Sequence, residues 1–279
     1  MSEVIAIANQ KGGVGKTMTA VQLGVGMAEQ GRKVLLIDAD PQGTLTNNLG
    51  FRPIERIPVT LSDLITDAAA GRPIQPGKGI LHHAEGVDVI PANMQLSGTE
   101  RDLVISNDRT VLDKVIEQIK APYDYVLIDC MPSLGAITLN VLTAADNVII
   151  PVQAQYEASQ GLGQLIRTIA NTKQHLNPDL KIGGVLLTMV DDKTNLAKTI
   201  SGLIRDTYGA NLRIFPANIP RTVRLAETGP GAKSIYAYAR ESKDLYADKA
   251  AAAYTSLTKE VLGHAERQRT GQHKSDLLR

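Results

Sequence analysis

IAIANQKGGVGKT, residues Ile5 to Thr17, begins as an apolar run and changes into glycines, a lysine and a threonine. The apolar run from Val4 to Ala8 predicts a short buried strand, and the apolar spacing after Thr17 predicts a helix. Between strand and helix, glycines allow several backbone N–H groups to point at one anion, and the helix dipole favours negative charge at the same place. The stretch therefore predicts a phosphate-binding loop near the start of an α/β domain.

The loop carries the side chains that a nucleoside triphosphate requires. Lys16 would place a positive charge beside the β- and γ-phosphates, and the Thr17 hydroxyl would bind Mg²⁺. The sequence departs from the common pattern G-x-x-x-x-G-K-[ST] at Gln10, and it has a second lysine, Lys11, at the start of the loop. A glycine-rich turn with a chance lysine is the alternative explanation. The predicted nucleotide-binding residues of this segment are Lys11, Gly12, Gly13, Val14, Gly15, Lys16, Thr17 and Met18.

Strand and helix patterns alternate along the chain. Such alternation predicts a doubly wound α/β fold, in which a mainly parallel sheet has helices on both faces. The predicted strands are Val4 to Ala8, Lys33 to Asp38, Val87 to Pro91, Tyr125 to Asp129, Asn147 to Val152, Ile182 to Met189 and Leu212 to Phe215. The main predicted helices are Lys16 to Gln30, Thr110 to Lys120, Ala158 to His175, Ala197 to Tyr208 and Lys243 to Leu262. The irregular segment 52–86 predicts a surface excursion with one helix near Leu61 to Ala70.

Length and composition indicate one globular domain. A chain of 279 residues without an evident linker is long enough for one large core, so we predict a single domain over 1–262 and a polar, flexible tail over 263–279. The single cysteine, Cys130, excludes an internal disulfide and argues against a zinc site of several cysteines. No apolar run reaches the roughly 20 residues of a membrane span. Because the first strand begins close to Met1, we expect no signal peptide and a cytoplasmic protein.

Acidic residues end two of the predicted strands. The second strand reads VLLIDADPQG and places Asp38 and Asp40 at its carboxyl end, while YDYVLID places Asp129 at the corresponding point of another strand. Ligands of parallel sheets bind at this edge. A lysine, a hydroxyl and carboxylates from strand ends form the set that Mg²⁺-dependent phosphoryl transfer requires. A pair of turn-forming aspartates ahead of Pro41 is the alternative for the first two acids.

Ordered blocks over nearly the whole chain resemble the ParA/MinD class of ATPases with a deviant Walker A loop, and most closely its ParA/Soj-type DNA-partition members. These blocks are NQKGGVGKT, LLIDADPQG, YVLIDCMPSLG, VIIPVQAQYEASQGL, GVLLTMVDDKTNL and IPRTVRLAE. In that class the first loop lysine, Lys11 here, reaches across a dimer to the partner's nucleotide. The resemblance implies catalytic roles for Lys11, Lys16 and Asp40, the last acting on the attacking water. The implied Mg²⁺ ligands are Thr17, Asp38 and Asp129.

The base is expected to be adenine, so the implied cofactors are ATP and Mg²⁺. GTPases of the phosphate-loop class read guanine with an N-K-x-D box, and this sequence contains none. In relatives, segments that resemble LLTMVD and NIPRTVR enclose the adenine. On that resemblance, Met189 and Pro220 would lie beside the base.

The resemblance also implies macromolecular partners. It predicts an ATP-bound sandwich homodimer that binds double-stranded DNA without sequence preference, associates with the nucleoid, and hydrolyses ATP when a ParB-like centromere-binding protein stimulates it. Although the whole chain has a formal charge of +1, residues 193–249 contain ten Lys or Arg and five Asp or Glu. A local basic face could therefore bind DNA phosphates. The candidate DNA-binding residues are Lys193, Arg205, Arg221 and Arg224.

Three rival classes fit the sequence less well. A MinD-like positioning ATPase would need an amphipathic C-terminal helix to bind a membrane, and the tail offers only Leu277 and Leu278 as strong apolar anchors. We therefore expect no membrane partner. An electron-transfer ATPase that resembles the nitrogenase iron protein would need four cysteines per dimer for its cluster, and Cys130 supplies two. The intact loop lysine and strand-end acids argue against a non-enzymatic adaptor with a degenerate nucleotide site.

Overall fold

The computed structural model describes residues 2–155, 158–191 and 193–276. Strands and helices alternate along this part of the chain, as predicted. The strands are β1 Glu3–Ile7, β2 Val34–Ala39, β3 Leu81–His82, β4 Val87–Ile90, β5 Tyr125–Cys130, β6 Asn147–Gln153, β7 Lys181–Val190 and β8 Ile214–Pro220. The α-helices are α1 Lys16–Glu29, α2 Thr44–Asn48, α3 Leu61–Ala69, α4 Leu96–Ser106, α5 Val111–Ile119, α6 Ala136–Ala144, α7 Ala158–His175, α8 Asn195–Tyr208, α9 Val223–Thr228, α10 Ile235–Ser242 and α11 Leu245–Asp276.

The eight strands form one sheet in the order β3-β4-β2-β5-β1-β6-β7-β8. Neighbouring strands are parallel except β3 and β4, which are antiparallel. The predicted doubly wound, mainly parallel sheet is confirmed. The sequence did not predict β3, because a two-residue strand inside a proline- and glycine-rich segment is too short to show an alternating pattern.

The central strand β1 is buried on both faces. Val4 and Ala6 contribute to one core, which β1 shares with α3 to α7. Ile5 and Ile7 contribute to the other core, which includes residues of α1, α10 and α11. Helices on both faces explain why the strand reads as a continuous apolar run rather than as an alternation of apolar and polar residues.

Two predicted element boundaries are wrong. The strand predicted over Leu212 to Phe215 lies later, as β8, and contains Pro216 and Pro220. β8 is an edge strand, where a proline can lie without removing a ladder hydrogen bond. The last helix was predicted to end at Leu262, but α11 continues to Asp276 through residues assigned to the polar tail.

The structure bears only partly on the tail and the membrane question. Within the described part of the chain, no helix combines the length and the apolar character needed to cross a bilayer. The anchors Leu277 and Leu278 lie outside the described residues. The division into a domain over 1–262 and a tail over 263–279 stays a prediction.

Candidate nucleotide-binding site

The glycine loop joins β1 to α1 at the carboxyl edge of the sheet. Gly13 and Gly15 have φ angles of 73° and 88°, a left-handed conformation that residues with side chains rarely adopt. The Lys11 amide donates a hydrogen bond to Asn9 Oδ1 at 3.0 Å, and Lys16 Nζ donates to the Lys11 carbonyl oxygen at 3.1 Å. The loop therefore curls around the Lys16 ammonium, while the first turn of α1 directs unpaired N–H groups into the same space.

The environment of Lys16 favours binding of an anion. The side chain is almost fully buried, at 7% exposure. Burial lowers the pKa of its ammonium, whereas the neighbouring Asp129, Cys130 and Asp40 act in the opposite direction. Because water screens this charge poorly, its attraction to a phosphate chain is stronger than that of a lysine on the surface.

Asp129 is a fully buried carboxylate at the carboxyl edge of the sheet. It lies one residue before the end of β5, in register with Ile7 of β1 and Asp38 of β2. Neither of its carboxylate oxygens has a hydrogen bond of ordinary geometry among the described residues. Burial, followed by repulsion from Asp38, raises the pKa of Asp129 well above its ordinary value, whereas the Thr17 hydroxyl and Lys16 lower it.

A cation would relieve this arrangement, because an unpaired buried carboxylate is costly. Asp129 and Thr17 supply oxygens of the kind that Mg²⁺ prefers. Among the described residues, no group of three or more His, Cys, Asp or Glu side chains could hold a metal ion by itself. The remaining ligands of a Mg²⁺ ion would therefore come from water and from the phosphates of a bound nucleotide.

Asp38 is equally buried but is already satisfied. Its Oδ2 accepts hydrogen bonds from the Thr46 amide at 2.9 Å and the Thr46 hydroxyl at 2.7 Å, and its Oδ1 accepts from the Asp40 amide at 3.2 Å. Burial raises the pKa of Asp38 to about 6, and the Thr46 hydrogen bonds oppose this rise. Of the two aspartates predicted to bind metal, Asp129 thus fits better, and Asp38 supports the loop that carries Asp40.

Asp40 lies at the rim of the site and is only partly buried. Its Oδ1 accepts a hydrogen bond from the Gln42 amide at 2.9 Å, which fixes the orientation of the carboxylate. The loop turns at Gly43, whose φ is 59° and whose α-carbon lies so close to the Ala92 carbonyl that a Cβ would be 2.8 Å from the oxygen. Asp40 is therefore held at the edge of the phosphate loop in a position open to solvent.

A cavity of about 850 Å³ begins beside Gly15 and includes Met18, Met189 and Pro220 in its wall. Its lining combines apolar side chains with a few polar groups, as is usual for a site that holds a planar base. Thr188, which the sequence patterns did not single out, lies in the same wall and donates a hydrogen bond to the Val14 carbonyl at 2.8 Å. Its position within LLTMVD, beside Met189, was the available signal.

Lys11 lies at the open side of the loop. Its Nζ donates to Gln155 Oε1 at 3.4 Å, and the residue lines a crevice of about 700 Å³ together with Ser133 and Leu134 of the loop after β5. The lysine is thus placed where a second subunit could approach the nucleotide. Its cross-subunit role stays a prediction.

The candidate DNA-binding residues lie in α8, in α9 and in the short segments before these two helices, in different surroundings. Lys193 and Arg221 are exposed. The Arg205 guanidinium donates to Asn218 Oδ1 at 3.1 Å. Arg221 and Arg224 also line the cavity beside Gly15, which places them near the predicted adenine site. DNA binding by all four residues stays a prediction.

Arg224 is held by carboxylates of its own chain. Its Nη2 is 3.0 Å from Asp244 Oδ2, and its Nη1 is 3.0 Å from Glu227 Oε2. Glu227 also accepts a hydrogen bond from the Tyr238 hydroxyl at 2.6 Å. The positive charge of Arg224 is therefore largely neutralised within the subunit.

Comparison with known proteins places the chain among nucleotide-binding proteins of one family. Residues 2–182 match the AAA_31 family, described as an AAA domain. The chain is 43% identical over 262 residues to the sporulation initiation inhibitor protein Soj of Bacillus subtilis, a match that covers 94% of this chain and 98% of that protein. It is 42% identical over 275 residues to the chromosome partitioning protein ParA of Caulobacter vibrioides, with coverages of 98% and 97%. A solved structure of cobyrinic acid a,c-diamide synthase from Mycobacterium smegmatis, with bound ATP analogue and magnesium, has a TM-score of 0.80 and 36% identity, covering 95% of this chain and 96% of that one.

Proposed function

The chain belongs to the ParA/Soj family of chromosome-partitioning ATPases, and we propose that it is a DNA-partition ATPase that uses ATP and Mg²⁺. In the proposed cycle, ATP binding stabilises a sandwich homodimer, and this dimer binds double-stranded DNA without sequence preference. A ParB-like partner on a centromere-like site stimulates hydrolysis, which releases the DNA. Repeated cycles would move a plasmid or chromosome over the nucleoid.

The observation that supports this proposal best is the buried carboxylate of Asp129 beside Thr17 and Lys16, which has no hydrogen bond of ordinary geometry among the described residues. A phosphate loop alone would be compatible with simple anion binding. The additional carboxylate, buried where a metal-bound nucleotide would lie, is typical of phosphoryl transfer. Bound Mg²⁺ would supply positive charge to the β- and γ-phosphates during the reaction.

The residues of the chain would divide the remaining tasks. The loop amides and the Lys16 ammonium bind the phosphates and stabilise the charge that develops on them in the transition state. Asp38 holds the loop in which Asp40 lies, through the hydrogen bond from the Asp40 amide. Asp40 then orients the attacking water toward the γ-phosphate, so that catalysis depends mainly on positioning.

Replacement of Asp40 tests the enzymatic part of the proposal. The Asp40→Ala variant keeps the phosphate loop, so it should bind ATP and form the dimer, but its turnover should fall by roughly a hundredfold because the water is no longer oriented. Turnover is measured with Mg²⁺ and duplex DNA, and dimer lifetime by sedimentation. Asp248→Ala, which alters an exposed aspartate of α11, is the control and should hydrolyse ATP at the parental rate. Parental turnover in Asp40→Ala would show that Asp40 is only a turn residue.

A MinD-like ATPase that acts at a membrane is the alternative function. Its membrane anchor would have to include Leu277 and Leu278, which lie outside the described residues. Observations on the described residues therefore do not favour it. Sedimentation of the ATP-bound protein with anionic phospholipid vesicles separates the two functions. We expect the protein to stay in the supernatant.

A further inference from the structure

Four polar side chains connect three helices beside the cavity that begins at Gly15. The Arg224 guanidinium of α9 contacts Asp244 Oδ2 through Nε at 3.1 Å and through Nη2 at 3.0 Å. Its Nη1 donates to the two carboxylate oxygens of Glu227 at 3.2 and 3.0 Å, and Glu227 also accepts a hydrogen bond from the Tyr238 hydroxyl of α10. We call these four residues the Arg224 cluster. Because the planar guanidinium contacts two carboxylates at once, its position is better defined than that of a single exposed ion pair.

Asp244 is bound through both of its carboxylate oxygens. While Oδ2 contacts Arg224, Oδ1 accepts hydrogen bonds from the backbone amides of Tyr246 at 2.9 Å and Ala247 at 3.1 Å. These amides belong to the first turn of α11, so Asp244 is the N-cap of that helix. The ion pair therefore connects α9 to the first turn of α11.

Both helices that the ion pair connects contribute to the wall of the cavity. α9 contributes Val223 and Leu225, and α11 contributes Tyr246 and Tyr254. Val223 is 71% exposed and Tyr246 is 55% exposed, so each has apolar surface that a ligand in the cavity can cover. A tyrosine ring can also stack on a flat aromatic ligand or meet it edge to face. The spacing between α9 and α11 therefore determines how closely the cavity encloses a base.

Arg213 and Glu260 form a comparable pair at another place on α11. Arg213 precedes β8, and its Nη2 lies 3.3 Å from Glu260 Oε2. The two side chains are 29% and 20% exposed, against 36% and 22% for Arg224 and Asp244. The described residues that line the cavity beside Gly15 include neither Arg213 nor Glu260. Of these two pairs of similar exposure, only that of Arg224 lies beside the cavity.

We propose that Arg224 is a positioning residue, which through Asp244 holds α9 and α11 at the spacing that encloses a purine base. The proposal rests on the proposed function, because it assumes that the cavity holds the base of ATP. The phosphates bind elsewhere, at the glycine loop and Lys16. Loss of the ion pair should therefore weaken the contribution of the base to binding and leave that of the phosphates unchanged. A residue that only contacted DNA would change neither contribution.

Two ligands that differ in the base test the proposal, namely ATP and inorganic tripolyphosphate, each with Mg²⁺. Their affinities are measured by displacement of labelled ADP, whose own affinity is titrated for each variant. Arg224→Ala should bind ATP about fivefold more weakly than the parental protein. Asp244→Asn keeps an N-cap, since Asn caps a helix about as well as Asp, and should bind ATP about threefold more weakly. Both variants should bind tripolyphosphate with parental affinity.

Two further variants complete the test. Arg224→Lys keeps the positive charge but cannot contact both carboxylates in the same forked geometry, so its loss of ATP affinity should be smaller than that of Arg224→Ala. Arg213→Ala removes the comparable pair of α11 and is the matched control. It should bind ATP and tripolyphosphate with parental affinities.

The outcomes separate this inference from the proposed function. Equal losses of ATP and tripolyphosphate affinity overturn the proposal, because the Arg224 cluster then supports the site as a whole. Parental ATP affinity in Arg224→Ala overturns it too and leaves the proposed function intact. A loss in Arg224→Ala with parental ATP affinity in Asp244→Asn also overturns the positioning role, since Arg224 lines the cavity and would then contact the base itself.

The parental protein supplies the remaining comparison. If it binds ATP no more tightly than tripolyphosphate, the adenine site of the proposed function fails, and the inference fails with it. Thermal unfolding of each variant shows whether it is folded. If Arg224→Ala does not fold, the ATP and tripolyphosphate affinities of Asp244→Asn decide the outcome.

Discussion

At the scale of single residues, two buried aspartates with similar sequence context have different partners. Asp38 accepts three hydrogen bonds from Thr46 and the Asp40 amide. Asp129, its register partner on β5, accepts none of ordinary geometry among the described residues. A carboxylate that has its donors acts as a structural support, while one that lacks them can take a cation. On this difference we expect Asp129, rather than Asp38, to bind the metal ion.

The two loop lysines should also be separable by mutation. Lys16→Ala removes a buried ammonium that lies beneath the loop, so nucleotide binding should fall below detection. Lys11→Ala changes a side chain at the open crevice, so the monomer should still bind ATP while the dimer no longer forms. Binding of a fluorescent ATP analogue and sedimentation with a non-hydrolysable analogue measure the two effects. Lys249→Ala, an exposed lysine of α11, should match the parental protein in both measurements. A stable dimer of Lys11→Ala would contradict the cross-subunit role.

At the scale of elements, the helix that follows the phosphate loop packs very closely on the sheet. A Cβ on Gly24 of α1 would lie 2.6 Å from Leu36 Cδ2 and 3.5 Å from Leu127 Cδ1. Leu36 is fully buried on β2, so its side chain has little space into which it can move. The glycine is thus needed for the close approach of α1 to β2 and β5, which sets the direction of the helix N-terminus.

Gly24→Ala should destabilise the protein although alanine favours helix formation. We expect a loss of about 1–3 kcal/mol in the free energy of unfolding from overpacking against Leu36. Gly202→Ala, inside α8 but with open space around it, should instead gain about 1 kcal/mol. Urea unfolding of both variants checks the pair. Equal effects of the two substitutions would mean that α1 can move away from β2 at little cost.

At the scale of the whole molecule, DNA binding would depend on the combined contribution of basic residues from two subunits. Lys193 is exposed, whereas Asp244 and Glu227 already neutralise the charge of Arg224. If Lys193 binds one DNA phosphate, Lys193→Ala should lower the slope of log K against log salt concentration by roughly 0.9, equally for all DNA sequences. Arg224→Ala should change the slope less. Binding to duplex DNA over a salt series, with dimerisation checked by sedimentation, measures both variants. Parental affinity and slope in both, with intact dimers, would place the DNA on another surface.

Much of the fold and part of the site follow from the sequence alone. Apolar runs, helical spacing and the glycine loop determined the alternating α/β architecture, since these patterns are local consequences of how strands and helices bury their side chains. The positions of Lys16, Asp38 and Asp129 also followed from the sequence, because the carboxyl ends of parallel strands meet at one edge of a sheet.

Only the tertiary structure decided which partners the side chains in and around the site have. Arg224 was chosen from the sequence as a DNA contact, but the fold places two carboxylates against it. Thr188 bonds to Val14 across 174 positions of sequence, a contact that no local pattern signals. The lack of space around Gly24, which lets α1 approach β2 and β5 closely, is likewise visible only once the packing of its neighbours is known. The physical reason is common to all three cases: hydrogen-bond satisfaction and burial depend on residues that are distant in sequence, whereas periodicity and turn chemistry depend on residues that are close.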